Sequence, residues 1–502
     1  MEILVHSSKI HAPVEDVFNW HIREGAFERL NPPWQPFSVV GRTNGIKDGG
    51  LITIRIPIGP LKLRWISQHC DYVERKQFAD VMLKGPFKSW KHIHLFSPSE
   101  EEKPDLSFSR IQDRIEYSLP FGSIFNRKIT RHIIKNRLDI LFNYRYQITK
   151  QDISDYNKYK HLGSLNILIS GSTGFIGSHL TPYLSAQGHK VTHLLRSTSK
   201  SNVSGIIGNI LNWDPAGGYI DPIIAPNTTE IEKEEKEHST KNKTERGKSK
   251  GSCFDSVINL AGENVFGRWT KEKKNAIIQS RIQSTQLLCK SLASLDKPPK
   301  VLISASAIGY YGSNREDEIL SEDDSTNNYL SHKDDFLAQV CKEWEQATTI
   351  AKEAGIRVVN IRIGVVMDPS GGILGTILPV FKAGLGGKIG NGKQWISWIA
   401  LDDLLSIILH IISNKHLSGP VNAVSPSPVT NADFTKMLGC ILSRPSGVPI
   451  PSIVVRKVFG EFADATLLSS ARIKPTKLLE AGYEFRFPNL EFALRHSLGK
   501  IT

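Results

Sequence analysis

Cysteine is scarce: Cys70, Cys253, Cys289, Cys341 and Cys440 are the only five in 502 residues, widely spaced and odd in number. No two form a CxxC pair, so the spacing excludes a thiolate zinc site, a dithiol redox motif and a disulfide scaffold; a reduced compartment and no structural metal are expected. Long apolar runs are missing too. Nowhere do 18 apolar residues follow one another, and Met1 to Pro13 lack the cationic start and apolar stretch of a secretory signal. A soluble, cytoplasmic protein with no membrane partner is expected. Excess charge of one sign is present but unconcentrated: 63 Lys and Arg against 50 Asp and Glu give +13, scattered along the chain. That reads as a solvated basic surface rather than a nucleic-acid site.

What is there falls into two grammars. Residues 1–158 alternate apolar and polar positions over short segments (Leu51 to Ile58, Leu61 to Trp65, Ile111 to Tyr117) and are rich in aromatics. This predicts antiparallel sheet, with helices over Val14 to Phe27 and Asn126 to Tyr144. From Leu165 onward apolar strands alternate with helical stretches, which predicts parallel βαβ units: Leu165 to Ser170, Lys190 to Arg196, Ser256 to Ala261, Val301 to Ser306 and Arg357 to Ile363. Residues 155–164 read as the linker. Within 221–252 periodicity disappears, and Glu230 to Lys250 holds six acids and seven bases, so this stretch is expected to be a disordered surface insertion.

The sharpest motif is Gly171-Ser172-Thr173-Gly174-Phe175-Ile176-Gly177, which follows an apolar strand and opens a helix. In that context the first glycine permits a tight turn, the second lets backbone approach a pyrophosphate, and the third lets helix and strand pack closely. The helix N-terminus then faces the phosphates. Where an Asp or Glu would accept a ribose 2′-hydroxyl, at the end of the second strand, the chain has Leu195 followed by Arg196. A guanidinium can pair with a 2′-phosphate, so NADP(H) is expected over NAD(H). Leu260, Ala261, Gly262 and Glu263 end a further buried strand and are expected beside the cofactor.

These residues, together with Val257 to Asn264, Arg268 to Thr270, Ser306 to Gly312, Trp344-Glu345, Gly371 to Gly375, Gln394 to Ile399 and Pro428 to Asn431, resemble the atypical short-chain dehydrogenase/reductases of the epimerase-like group. Gly25 to Leu30, Pro32 to Trp34, Asp71-Tyr72 and Gly85 to Trp90 resemble the START and polyketide-cyclase (SRPBCC) helix-grip superfamily. The resemblance implies a START-like helix-grip α+β domain over 1–158, with an apolar cavity near Trp20, Trp34, Trp65, Phe87 and Trp90 for a hydrophobic ligand. It further implies an NAD(P)-binding Rossmann domain, α/β with a doubly wound parallel sheet, over 165–425. A small helical epimerase-family lobe would follow over 426–502.

The superfamily pattern also calls for a Ser or Thr after the fifth strand and a Tyr-x-x-x-Lys pair on the next helix, which exchange a proton as hydride moves. Ser306 fits the first role. The helix length usual in the superfamily puts the Tyr near Phe336 or Leu337 and the Lys near Val340 or Cys341, where neither pair can transfer a proton. Tyr329 and Lys333 form a literal Tyr-x-x-x-Lys about two turns early; Tyr310 or Tyr311 could substitute as the acid; Arg281 with Glu263 could hold an anionic group. Asp402 is expected to cap the helix Leu404 to Ile412, and the glycines at 384–392 with Trp395 to Trp398 to close the substrate side. Two functions fit: an NADP-dependent oxidoreductase or sugar-nucleotide epimerase acting on a small molecule, or a catalytically silent NADPH-binding sensor.

Overall fold

The computed structural model describes residues 1–58, 61–99, 108–119, 127–196, 207–222, 254–324 and 335–500. The alternating segments at the start form one seven-stranded antiparallel sheet, in the order Glu2–Ile10, Ser109–Ser118, Ser89–Pro98, Gln77–Lys84, Leu61–Val73, Leu51–Ile58, Ser38–Thr43. A helix spanning Arg127–Tyr159 lies on it, with the Phe142 ring stacked 4.6 Å from that of His6. No glycine or proline interrupts those residues, so the helix runs on into the expected linker as far as Tyr159, and the short 3-10 turn Lys160–Leu162 that follows ends at Gly163, φ 64°.

The second half builds an eight-stranded sheet ordered Tyr219–Ile220, Asn209–Asp214, Lys190–Arg196, Asn166–Ser170, Ser256–Asn259, Val301–Ala307, Arg357–Ile363, Gly419–Ala423. All neighbours are parallel except the first pair. Ile167, Leu168 and Ile169 are buried in succession, as expected when helices cover both faces. The strand order reverses at Asn166–Ser170, which opens a crevice over the carboxyl ends. Of the insertion expected at 221–252, residues 223–252 lie outside the described residues. No helix among the described residues is long and apolar enough to cross a membrane.

The last part of the chain contributes helices Asn431–Leu442, Ser452–Phe459 and Leu490–Ser497, and a strand Ser470–Ile473 paired with Asn314–Leu320. The glycines expected to close the substrate side pack here instead. A Cβ on Gly387 would lie 1.8 Å from the Val448 carbonyl oxygen, and Trp398 is wholly buried.

A buried ionic seam joins the antiparallel sheet's domain to the parallel one. The expected helix over Val14 to Phe27 is broken: it ends at Ile22, and Gly25, at φ 91°, starts a short second helix. A Cβ on Gly25 would sit 2.3 Å from the Pro182 carbonyl oxygen across the seam, which explains the break. The turn delivers Arg29, whose Nε and Nη2 donate to Asp152 at 2.8 and 2.9 Å and whose Nη2 also donates to Asp402 Oδ1 at 2.9 Å. Asp402 therefore does not cap its helix, which begins at Leu401 after Ala400 with no side-chain cap. Arg486 meets Asp155 beside it, and Tyr183 donates to the same carboxylate.

Removing one partner of such a cluster strands the others. With Arg29 only 5% exposed and Asp152 fully buried, Arg29→Ala should cost about 3–5 kcal/mol in a denaturant titration. His189 is buried and its Nδ1 accepts the Leu165 N–H at 3.3 Å, and burial, with Arg23 adding to it, pushes the imidazole down to about 4. The unfolded chain takes up that proton first, so stability should fall between pH 6.5 and 4, and His189→Gln should flatten the slope in that window.

Candidate functional site

The glycine turn fills the mouth of the crevice with backbone. Gly171 has φ 70°, and a Cβ there would lie 2.6 Å from the Leu260 carbonyl carbon; one on Gly177 would lie 2.4 Å from the Gly171 carbonyl oxygen. Gly174 precedes the helix Phe175–Ala186, whose first turn has no side-chain cap among the described residues, which leaves its amides to the crevice. Ser172 Oγ is buried and without a partner among the described residues. A cradle of this kind, with free amides, an unsatisfied hydroxyl and no acidic group, fits a pyrophosphate. Thr173 is exposed on the turn. The Phe175 ring is pressed beneath Gly371, where a Cβ would approach it to 2.5 Å, and the half-buried Ile176 packs on the core. Arg196 ends its strand with its side chain exposed.

The neighbouring strand ends are tied together by a buried polar hub that the sequence did not reveal. Asn259 Oδ1 accepts from Ser170 Oγ at 2.6 Å, and its Nδ2 donates to Thr285 Oγ1 at 2.8 Å. Trp344 Nε1 donates to the same threonine at 3.0 Å. Beyond the hub, Arg281 braces the backbone of the next segment. Its Nη1 donates to the Glu263 carbonyl at 3.0 Å, and its Cζ would be 3.1 Å from a Cβ on Gly262. The Glu263 carboxylate is held by Lys273 at 2.7 Å, so Arg281 and Glu263 do not form the anion clamp expected of them.

Ser306 sits at the carboxyl end of its strand, opposite Arg362 in register. Its Oγ donates to Glu345 Oε1 at 2.7 Å, and Arg362 donates to the same carboxylate through Nε at 2.9 Å and Nη2 at 3.0 Å. Arg362 Nη1 also donates to the Tyr311 hydroxyl at 2.9 Å, which donates to Asn422 Oδ1 at 2.8 Å. The Arg362 guanidinium lies 3.4 Å from the centre of the Tyr310 ring. Burial pushes the Tyr311 phenol up to about 12. Tyr311 is thus a packed support and no acid. Tyr329 and Lys333 lie outside the described residues, but the helix Phe336–Gln346 is seen. It brings Leu337 and Cys341 against Gly309, and burial raises the Cys341 thiol to about 12. Glu345 and Arg362 are the functional candidates that sequence reasoning missed. Glu345 reaches Ser306 through helix packing, and Arg362 through strand register.

Glu345 compensates a guanidinium that is nearly inaccessible to water. Glu345→Ala should cost about 3 kcal/mol in equilibrium unfolding, whereas Glu345→Gln should cost less because it keeps an acceptor for both Ser306 and Arg362.

Residues 167–423 match the NAD dependent epimerase/dehydratase family, and residues 450–497 match a domain of unknown function, DUF1731. The epimerase family protein Mb2239 of Mycobacterium bovis is 38% identical over 332 residues, 66% of this chain and 97% of that protein. A crystal structure described as a nucleoside-diphosphate sugar epimerase from Corynebacterium glutamicum is 30% identical and covers 99% of this chain and 90% of its own, with a TM-score of 0.72. The antiparallel sheet is thus included in the likeness. The structure of human epimerase family protein SDR39U1 (isoform2) with NADPH is 30% identical, covers 67% of this chain and 100% of its own, and has a TM-score of 0.54. From the match over the parallel sheet, with its glycine turn intact, this chain belongs to the NAD dependent epimerase/dehydratase family.

Proposed function

We propose that the chain binds NADP(H) in the crevice and acts as an oxidoreductase or epimerase on a small carbonyl or alcohol, a sugar nucleotide being one candidate. The observation that carries this is the turn Gly171–Gly177, in which two glycines stand where no side chain fits. Its backbone amides and Ser172 Oγ would hold the pyrophosphate, the backbone from Leu260 to Glu263 would border the ribose, and Arg196 would pair with the 2′-phosphate. The human relative solved with NADPH, and the sugar-nucleotide description of the corynebacterial structure, lend support. When bound, the coenzyme supplies or accepts hydride. Ser306 Oγ would orient the substrate oxygen and relay its proton: the substrate hydroxyl gives a proton to Oγ as the serine proton passes to Glu345 Oε1. Tyr310 and the Tyr329–Lys333 pair are the remaining proton donors in this reading.

A second reading, a silent NADPH-binding sensor, is favoured by one observation. The described helix facing Ser306 offers Leu337 and Cys341 where a proton relay would stand, and both oxygens of Glu345 are already engaged by Arg362. For residues 1–158, a START-like domain is supported by the long helix lying on a seven-stranded antiparallel sheet, and a hydrophobic ligand would meet the aromatic group Trp65, Phe87, Trp90 and Tyr117.

Arg196→Ala should weaken NADPH binding by about 10–100-fold in calorimetry and leave NADH within about threefold. Equal losses for both coenzymes would contradict the 2′-phosphate assignment. Single-turnover oxidation of bound NADPH against a carbonyl panel separates the two functions. Activity lost in Ser306→Ala and Glu345→Gln but kept in Tyr329→Phe supports the serine relay, loss in Tyr329→Phe returns the role to that tyrosine, and silence in the wild type supports the sensor.

A further inference from the structure

The inner face of the antiparallel sheet carries a group of side chains that the coenzyme crevice does not use. Alternation puts His92 and His94 on one face of their strand. Register sets Asp80 opposite His92, and Asp113 opposite His94 on one side and His6 on the other. The helix Arg127–Tyr159 covers this face, with the Phe142 ring edge-on to His92 at 5.5 Å. The cysteine spacings that exclude a thiolate site say nothing about one assembled across strands.

Asp113 Oδ1 sits 3.0 Å from His92 Nε2 and 2.7 Å from His94 Nδ1, so one carboxylate holds both imidazoles and leaves each a second nitrogen. His92 Nδ1 is 3.5 Å from Asp80 Oδ2, and one donor atom each from Asp80, His92 and His94 lie within 4.8 Å of one another. Two ligands of a tetrahedral zinc at bonds of about 2.0–2.1 Å stand roughly 3.4 Å apart, which is the His92–Asp80 spacing. A carboxylate behind the ligating imidazoles is also the arrangement that fixes tautomer and ring orientation at metal sites. The half-buried carboxylates of Asp80 and Asp113 outnumber the Arg145 guanidinium that faces them from the covering helix. The centre therefore keeps a net attraction for a cation. Asp80 and His94 are 18% and 14% exposed, which leaves a way in.

We infer that Asp80, His92 and His94 bind a divalent transition-metal ion of the imidazole- and carboxylate-preferring class, such as zinc, with Asp113 positioning both imidazoles. Three protein ligands leave a fourth position for water or for an oxygen of a small molecule entering beneath the helix. Nothing in this depends on the coenzyme reading.

The test uses the full chain, stripped with chelator and titrated calorimetrically with Zn²⁺, and with Co²⁺ read by its visible absorption. One equivalent should bind, with Co²⁺ giving the spectrum of a low-coordinate nitrogen and oxygen site. His92→Gln with His94→Gln should lose at least about 100-fold in affinity and Asp113→Asn about 10–100-fold, while His161→Gln, at an exposed histidine, changes neither. Zn²⁺ should also raise the melting temperature of the wild type and not that of the double variant. If the double variant does not fold, Asp80→Asn replaces it with the same expected loss. No saturable binding by the wild type, or equal binding by wild type and ligand variants, overturns the inference.

Discussion

Three stretches of backbone meet at the glycine turn with no room for a side chain between them, and the rest of the second half is arranged around that contact. Gly171 lies against the exit of the strand Ser256–Asn259, and Gly177 lies against Gly171 itself. Any Cβ would push helix from strand or strand from strand. The closeness that serves packing also brings the uncapped helix start and the Ser172 hydroxyl to one point at the crevice mouth, where no described residue satisfies that hydroxyl. A buried polar atom without a partner costs about 1–3 kcal/mol. The fold carries that cost at the place where an anionic ligand would relieve it.

Around this point the strand ends are fastened by side chains rather than by further backbone. Asn259 links the first strand, the helix Lys271–Ala293 and, through Thr285, the indole of Trp344. Arg362 does the same one strand over, gathering Glu345, Tyr311 and Tyr310. Ser306 belongs to the second hub, its hydroxyl donating to Glu345. The crevice floor is therefore stiff. The ionic seam extends across the domains through Arg29 to Asp402 and Arg486 to Asp152 and Asp155, contacts that exist only while the two remain docked.

The parallel sheet was legible because each of its main strands is a continuous apolar run and the glycines stand in register with a strand and a helix. Arg357–Ile363 agrees residue for residue, and Lys190–Arg196 likewise. What failed were features decided by distant partners. The helix Arg127–Tyr159 absorbs residues 155–159, which read as the start of a linker, and there Asp155 pairs with Arg486. Asp402 reads as a cap in isolation and turns out to face a guanidinium 373 residues away in sequence. The glycines at 384–392 look like a mobile rim, but Gly386 lies against the Phe381 ring and Gly387 against the Val448 backbone. Within the site, the glycine turn could be read from its spacing between strand and helix, whereas Glu345 could not, because it reaches Ser306 only through helix packing.

The central claim is that the turn at Gly171 grips a dinucleotide whose extra phosphate is chosen by a neighbouring cation. Competition between adenosine fragments isolates that grip from any catalysis: the full chain is loaded with NADPH, and its displacement is followed as adenosine 2′,5′-bisphosphate or 5′-AMP is added. The bisphosphate should displace NADPH at a concentration at least about tenfold lower than 5′-AMP, the factor that one added charged contact of about 1.4 kcal/mol gives. Equal displacement by the two, or no NADPH bound at the outset, contradicts it.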